Sequence, residues 1–128
     1  MLTEESLRQF CGTQEYFRHW TQRLTYTEGV KYLADEGEAH WLIDAIAAHQ
    51  GDKRITGHQE LRDMQFWKLT VKDGKGTLTC VPDSGRKAVI TQEIAFTDFT
   101  LPEVEVWVER GSVDGRTTCM VAMLPSER

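Results

Sequence analysis

The hydrophobic pattern of this chain changes its period near Gln65, about halfway along the sequence. Before this residue, apolar side chains recur every three or four positions, which is typical of helices with one buried face. After it they alternate with polar side chains, which is typical of half-buried strands. Helices followed by turn-connected strands predict an α+β fold, in which N-terminal helices pack on one face of a four- to five-stranded antiparallel meander sheet. A length of 128 residues is enough for one core, so we expect a single domain over residues 1–128.

Two helical segments are predicted before residue 25. The first begins at Thr3, whose side chain can cap it, and ends at Gly12. Its apolar side should consist of Leu7, Phe10 and Cys11. The second carries an apolar stripe at helical spacing, formed by Tyr16, Phe17, Trp20 and Leu24.

Two further helical segments are predicted between residues 27 and 51. Thr27 can cap a short helix, although Gly29 and Gly37 equally permit a turn and an extended segment. The best-defined helix runs from Glu38 to Gln50. Its inward face should consist of Ala39, Leu42, Ala45, Ile46 and His49, with Ile43 at its edge and with His40, Asp44 and Ala47 on the opposite side. Residues 52–63 are polar and predict a connecting loop.

Alternating patterns predict up to five strands after Gln65. The first four should face the helices with Trp67, Leu69 and Val71, then Leu78 and Cys80, then Ile90, Ile94 and Phe96, then Val104, Val106 and Val108. The fifth runs from Cys119 to Leu124 after a loop at residues 111–115. Because short turns join most of these strands, each should pair antiparallel with its neighbour in the sequence.

Several stretches of the chain resemble a known family. They read TQEYFRH from Thr13, YTEGVKYLADEGEAHWLIDAIAAHQ from Tyr26, FWKLTV from Phe66, ITQEIAFTDFTLPE from Ile90 and LPSE from Leu124. Together they are similar to a family of uncharacterised bacterial proteins, a domain of unknown function often seen near mobile genetic elements. The resemblance covers nearly the whole chain, apart from longer segments at 52–63 and 111–118. It implies an origin and supports one domain, but it implies no catalytic or binding residue.

Charge and composition argue against several classes of function. The formal net charge is −5, which argues against a surface that binds nucleic-acid backbones. Three scattered cysteines suit neither a disulfide framework nor a zinc site with paired ligands, so we expect no metal and no cofactor. No signal peptide is visible, and the longest apolar stretch, at residues 41–48, is too short to cross a bilayer. We therefore expect a cytoplasmic protein without membrane association.

His40 and Asp44 are the candidate catalytic residues. They stand four positions apart on the exposed side of the long helix, which suits a carboxylate that orients an imidazole for proton transfer. An ordinary surface pair has the same spacing and is the alternative interpretation. No third ligand accompanies the two, so the spacing does not indicate a metal site. This pair supports the second functional hypothesis, a small hydrolase with a histidine and a carboxylate between helices and sheet.

The sheet face away from the helices carries the candidate binding residues. Alternation predicts that Phe66 and Trp107 point outward, with Glu105 and Glu109 beside the indole. An exposed patch with large aromatic side chains usually contacts a partner, whereas scattered surface hydrophobes are ordinary. The first functional hypothesis is therefore a non-catalytic binding module with an accessory or regulatory role. It would act through protein–protein contacts, either with another protein or as a homodimer through this face.

Overall fold

The computed structural model describes residues 2–12, 15–112 and 114–128. The helices in these ranges are α1 (Glu4–Arg8), α2 (Glu28–Glu36), α3 (His40–His49) and α4 (Lys53–Thr56). The strands are β1 (Tyr16–Arg18), β2 (Thr25–Thr27), β3 (Met64–Lys72), β4 (Lys75–Val81), β5 (Ile90–Ile94), β6 (Glu103–Gly111) and β7 (Cys119–Met123), and a 3₁₀ turn follows at Pro125–Glu127. Thr13 and Gln14, from the first stretch of the family resemblance, and Val113, from the loop predicted at 111–115, lie outside the described residues.

The strands form one open sheet in the order β1-β2-β7-β6-β3-β4-β5. All neighbours pair antiparallel except β2 and β7, which run parallel with Thr25 opposite Val121. The predicted α+β class is confirmed. The antiparallel meander of four to five strands is wrong, because the sheet has seven strands, is mixed, and pairs β6 with β3 instead of β5. β3 and β6, with nine residues each, lie next to one another where strands on both sides can satisfy their backbones.

The segment between Tyr16 and Leu24 forms a strand and a turn, so the second helix predicted from its spacing is wrong. Gln22 has a φ of 64°, in the left-handed region, which is incompatible with a continuous right-handed helix. The backbone N–H of His19 donates to the carbonyl of Leu24 at 2.8 Å and closes the turn. Trp20, which the helical stripe placed in the core, is 78% exposed. Aromatic and β-branched residues therefore follow their strand preference here.

α3 is shorter than predicted and buries a different face. It cannot begin at Glu38, whose φ of 50° is also left-handed. Its buried residues are Leu42, Ile43, Ile46 and Ala47. Ala47, expected to face outward, is 0% exposed, so that prediction is wrong. The buried side of α3 therefore includes Ile43 and Ala47, whereas Ala45 and His49, which were expected on it, are only half-buried.

The connection after α3 belongs to the core and is not the polar loop that its composition predicts. Residues 53–56 form α4, capped by the Asp52 side chain, which accepts the backbone N–H of Arg54 at 2.8 Å. Ile55 and Leu61 both join the hydrophobic core. Two apolar residues among twelve suffice to fasten the segment when each is buried.

The strand faces agree with the alternation in most of the sheet. The buried inward residues of β3, β4 and β6 are Trp67, Leu69, Leu78, Cys80, Val104, Val106 and Val108, and Val71 is partly buried. Phe96 is the exception, because it lies beyond the end of β5 and is 78% exposed. Cys11, expected on the apolar side of the first helix, is also exposed, since α1 ends at Arg8.

The side chain of Glu127 fastens the C-terminal turn to the start of α2. Thr27, the last residue of β2 and the N-cap of α2, donates its hydroxyl to Glu127 Oε1 at 2.6 Å. The backbone N–H of Gly29 donates to Oε2 at 3.2 Å, and that of Leu124 donates to Oε1 at 2.9 Å. A carboxylate is favourable at this end of a helix, where N–H groups lack intrahelical partners. A Cβ at position 29 would lie 2.5 Å from Oε1, so the contact requires glycine there.

A fully satisfied polar pair lies within the core beside β3. Gln65 is 0% exposed and exchanges two amide hydrogen bonds with Gln50, at 2.8 and 2.9 Å. Gln65 Oε1 also accepts the indole N–H of Trp67 at 2.8 Å. Because each buried polar group has a partner, the pair can be accommodated without a large desolvation cost.

The burial of α3 gives a test of its corrected face. Ile46→Ala should lower the free energy of unfolding by about 2–5 kcal/mol because it leaves a cavity. Ala47→Ser should lower it by about 1–3 kcal/mol, since the new hydroxyl is buried. Ala48→Ser is the matched control, because Ala48 is exposed, and it should change little. Chemical denaturation measures all three, and equal stability of the two serine variants would contradict this orientation.

Candidate functional site

The open face of the sheet carries a row of apolar side chains across four strands. Phe66 lies opposite Val81 on one side and Trp107 on the other. Trp107 in turn lies opposite Met123. All four side chains are half-buried. Phe66 and Trp107 thus occupy the outward positions that alternation predicts.

The aromatic pair forms part of a cleft with a volume of about 500 Å³. The turn between β4 and β5 borders it, with Gly85 at a φ of 77° that favours glycine. The lining consists of Phe66, Lys68, Thr79, Val81, Asp83, Ser84, Gly85, Arg86, Glu105 and Trp107. Clefts that bind small ligands or single side chains have volumes of this order, about 300–1,000 Å³. We call this feature the Phe66–Trp107 cleft.

Trp107 has an unusual environment within the cleft. Its ring meets that of Phe66 edge-on, with centroids 5.2 Å apart and planes at 79°. Its indole N–H is buried, and it is the only buried side-chain nitrogen or oxygen among residues 2–12, 15–112 and 114–128 without a hydrogen-bond partner. An unsatisfied buried donor typically costs about 1–3 kcal/mol. Trp107 therefore lines the cleft and carries a buried donor that has no partner in the described residues.

Charged side chains of both signs surround the aromatic pair. Lys68 lies 3.0 Å from Glu103, and this hydrogen bond and the carboxylate charge raise the pKa of Lys68. Lys68 is also directly opposite Glu105 across β3 and β6. Arg86 pairs with Glu60 at 3.2 Å. The rim is polar and mixed in sign, as in most protein–protein interfaces.

Glu109 takes a different place from the one expected. It accepts two hydrogen bonds from the guanidinium of Arg128, at 3.1 and 3.4 Å. It does not line the cleft, whereas Glu105 does. Arg86 and Asp83 line it and were not identified from the sequence, because the turn at 83–85 indicates only a change of direction. Their position follows from the pairing of β4 with β3, which a local pattern does not specify.

The structure does not bring His40 and Asp44 together. His40 Nε2 lies 2.7 Å from Asp35, and Asp44 lies 2.7 Å from His19 Nε2. Hydrogen bonds to Lys31 and then to His40 lower the pKa of Asp35. Each member of the proposed pair therefore has another partner, and the shared exposed side of α3 does not form one site.

His19 is the histidine that the structure places in a polar network. Its imidazole is nearly buried, and Nε2 contacts the Asp44 carboxylate. Nδ1 accepts the backbone N–H of Thr21 at 3.2 Å and lies 2.8 Å from the Thr21 hydroxyl. A hydroxyl, an imidazole and a carboxylate are thus connected in series. No local pattern indicated this network, because the spacing of residues 16–24 predicted a helix.

Cysteine catalysis, catalysis by His49 and metal binding have less support. Burial raises the pKa of Cys80 to about 12, so its thiolate is scarce near neutral pH. His49 is hydrogen-bonded to Gln92 at 2.7 Å and stacks on Trp67. Within the described ranges, no three side chains of His, Cys, Asp or Glu converge in a way that could hold a metal ion. The described helices are also all too short or too polar to cross a membrane.

Fold and cleft together define a class of protein: an α+β domain whose open sheet face carries a ligand-sized cleft with an unsatisfied indole donor. The chain belongs to a family of unknown function, DUF6876, whose sequence model matches residues 1–128. No curated protein and no solved structure matches the chain. The resemblance to a domain of unknown function is therefore confirmed, and the family brings no activity with it.

The indoles of Trp67 and Trp107 should respond differently to loss of the N–H group. Trp107→Phe should change the free energy of unfolding by less than about 1 kcal/mol, since removal of an unsatisfied donor offsets the lost ring area. Trp67→Phe should cost about 2 kcal/mol or more, because it removes a satisfied hydrogen bond and leaves a cavity. Urea denaturation compares the two variants. A larger loss at Trp107 than at Trp67 would show that the Trp107 N–H has a partner.

Proposed function

We propose that the protein is a non-catalytic binding module, which contacts a protein partner through the Phe66–Trp107 cleft. The observation that carries the proposal is the buried, unpaired indole N–H of Trp107 beside Phe66. Such a donor destabilises the isolated chain and gains free energy when an acceptor reaches it. Tryptophan is also the residue most enriched among interface positions that dominate binding energy.

The shape of the cleft favours a particular kind of partner. Two concave surfaces do not fill one another, so a protruding segment fits better than a flat face. Its side chain should be apolar or aromatic to pack on Phe66 and Val81, and should include an acceptor for the indole N–H. Lys68, Arg86 and Glu105 would then form the polar rim. In the homodimeric form of the same proposal, a protruding segment of a second copy would occupy the cleft.

The cellular compartment and the biological role of this module are also part of the proposal. All three cysteines are free thiols, which fits a reducing compartment such as the cytoplasm. An accessory or regulatory role in a bacterium, near mobile genetic elements, is supported by the sequence resemblance alone.

Truncation of the indole tests the binding module. Peptides selected from a displayed library on the wild type should bind Trp107→Ala about 30-fold more weakly, as expected for an interface residue worth about 2 kcal/mol. Trp20→Ala is the matched control, because Trp20 is 78% exposed in the β1–β2 turn and should leave affinity unchanged. Titration calorimetry measures affinity, and circular dichroism confirms that each variant is folded.

The same variants distinguish a homodimer from a complex with a different protein. Light scattering on the wild type would give twice the monomer mass if the partner is a second copy, and Trp107→Ala should then restore the monomer. A wild type that stays monomeric points to a foreign partner. If the wild type is monomeric and no selected peptide depends on Trp107, the proposal is wrong.

A small hydrolase is the second candidate function, and the series Thr21–His19–Asp44 is the observation that favours it. An imidazole between a hydroxyl and a carboxylate is the arrangement that activates a nucleophile. The ring itself is nearly buried, so a substrate would reach it only through Thr21. This limited access is why we rank the hydrolase below the binding module.

Hydrolysis of p-nitrophenyl acetate distinguishes the two functions. We expect the wild type and His19→Gln to give the same rate, because a binding module has no activated nucleophile. His40→Gln is the matched control, since His40 is exposed and pairs with Asp35. A rate that disappears in His19→Gln and persists in His40→Gln would instead establish the hydrolase.

A further inference from the structure

A second concavity lies at the opposite part of the sheet, where β2 and β7 begin. Because these strands are parallel, the segments that precede them lie side by side. One is the β1–β2 turn, and the other is the loop between β6 and β7. The space between them has a volume of about 330 Å³. We call it the arginine concavity.

Three arginines line this concavity, and none of its lining residues is acidic. Arg18 and Arg23 come from the two sides of the β1–β2 turn, and Arg110 comes from the end of β6. Arg110 is paired with Asp63 at 2.7 Å. Among the described residues, no carboxylate lies within 4.0 Å of the guanidinium of Arg18 or Arg23. A positive concavity on a chain of net charge −5 is a local arrangement and not a general property of the surface.

Contacts beside the concavity position Arg23 and the loop between β6 and β7. The guanidinium of Arg23 lies over Gly51, so closely that a Cβ at 51 would come within 2.5 Å of it. Thr118 adds a hydroxyl group and Gln22 a side-chain amide to the lining, whereas the Thr117 side chain is hydrogen-bonded to Asp114. Asp114 accepts the backbone N–H groups of Arg116 and Thr117, both at 2.8 Å, and the hydroxyl of Ser112 at 3.0 Å. The nearby loop therefore holds its own carboxylate through its own donors.

We propose that the arginine concavity binds a small phosphate monoester. Two guanidinium forks, a hydroxyl and an amide exceed the needs of a carboxylate, whose two oxygens one fork can satisfy. A phosphate presents three strong acceptor oxygens, which match this set of donors. The space also exceeds that of a phosphate group, and Leu24 and Met120 line its remainder. The organic part of the ligand lies against Met120, because Leu24 is buried in the core.

Titration calorimetry with three probes tests the assignment: inorganic phosphate, glycerol phosphate and adenosine monophosphate. At least one monoester should bind the wild type with a Kd below about 1 mM, more tightly than inorganic phosphate. Arg18→Gln/Arg23→Gln should weaken it about tenfold or more, and added salt should weaken it as well. Arg8→Gln/Arg54→Gln is the matched control, because it removes the same charge from exposed arginines outside the concavity. The single variants Arg18→Gln and Arg23→Gln serve if the double variant is not folded by circular dichroism.

Three results would overturn the proposal. No saturable binding of either monoester by the wild type would exclude the site. Equal weakening in the control variant would indicate net charge alone, and inorganic phosphate as tight as the monoesters would exclude recognition of an organic part. Trp107→Ala should bind the monoester like the wild type, so this site stands or fails independently of the Phe66–Trp107 cleft.

Discussion

The bond between the Glu127 carboxylate and the first turn of α2 is the contact on which the arrangement of the molecule depends. Thr27 ends β2 and caps α2, so one acceptor fixes the end of a strand and the start of a helix together. The same carboxylate binds the N–H of Leu124, just after β7. β2 is thereby held beside β7, and the helix that follows it is directed onto the core. The contact that satisfies this helix terminus therefore also joins residues 27–29 to the C-terminal turn.

The parts of the fold that a local pattern encodes were predictable, and those that depend on distant pairing were not. Alternation identifies the inward faces of β3, β4 and β6, because it repeats over seven to nine residues. β1 and β2 have three residues each, too few to show a period. Tyr16 and Phe17 of β1 fall at helical spacing with Trp20 and Leu24 of the following turn. The parallel pairing of β2 with β7 leaves no local trace in either segment.

The candidate sites show the same division. Alternation placed Phe66 and Trp107 on the outward face, but only the pairing of β6 with β3 sets them directly opposite. His40 and Asp44 share one side of a helix, as expected, yet their partners are Asp35 at the end of α2 and His19 in the β1–β2 turn. The arginine concavity collects residues from positions 18–25 and 110–120. Sequence spacing cannot indicate a site whose two walls are separated by most of the chain.

The parallel β2–β7 pair has a consequence for biosynthesis. The bond from Thr27 to Glu127 joins residues 100 positions apart, so β7, the strand that β2 needs, is synthesised after the other described strands. Until then the β1–β2 hairpin has no sheet to join, and a two-stranded hairpin is marginal in water by itself. We therefore expect nucleation in the antiparallel pair β3 and β4, which Asp73 and Gly74 alone connect. The N-terminal segment is synthesised first and is incorporated last, and a chain that stops short of residue 119 leaves it without a place in the sheet.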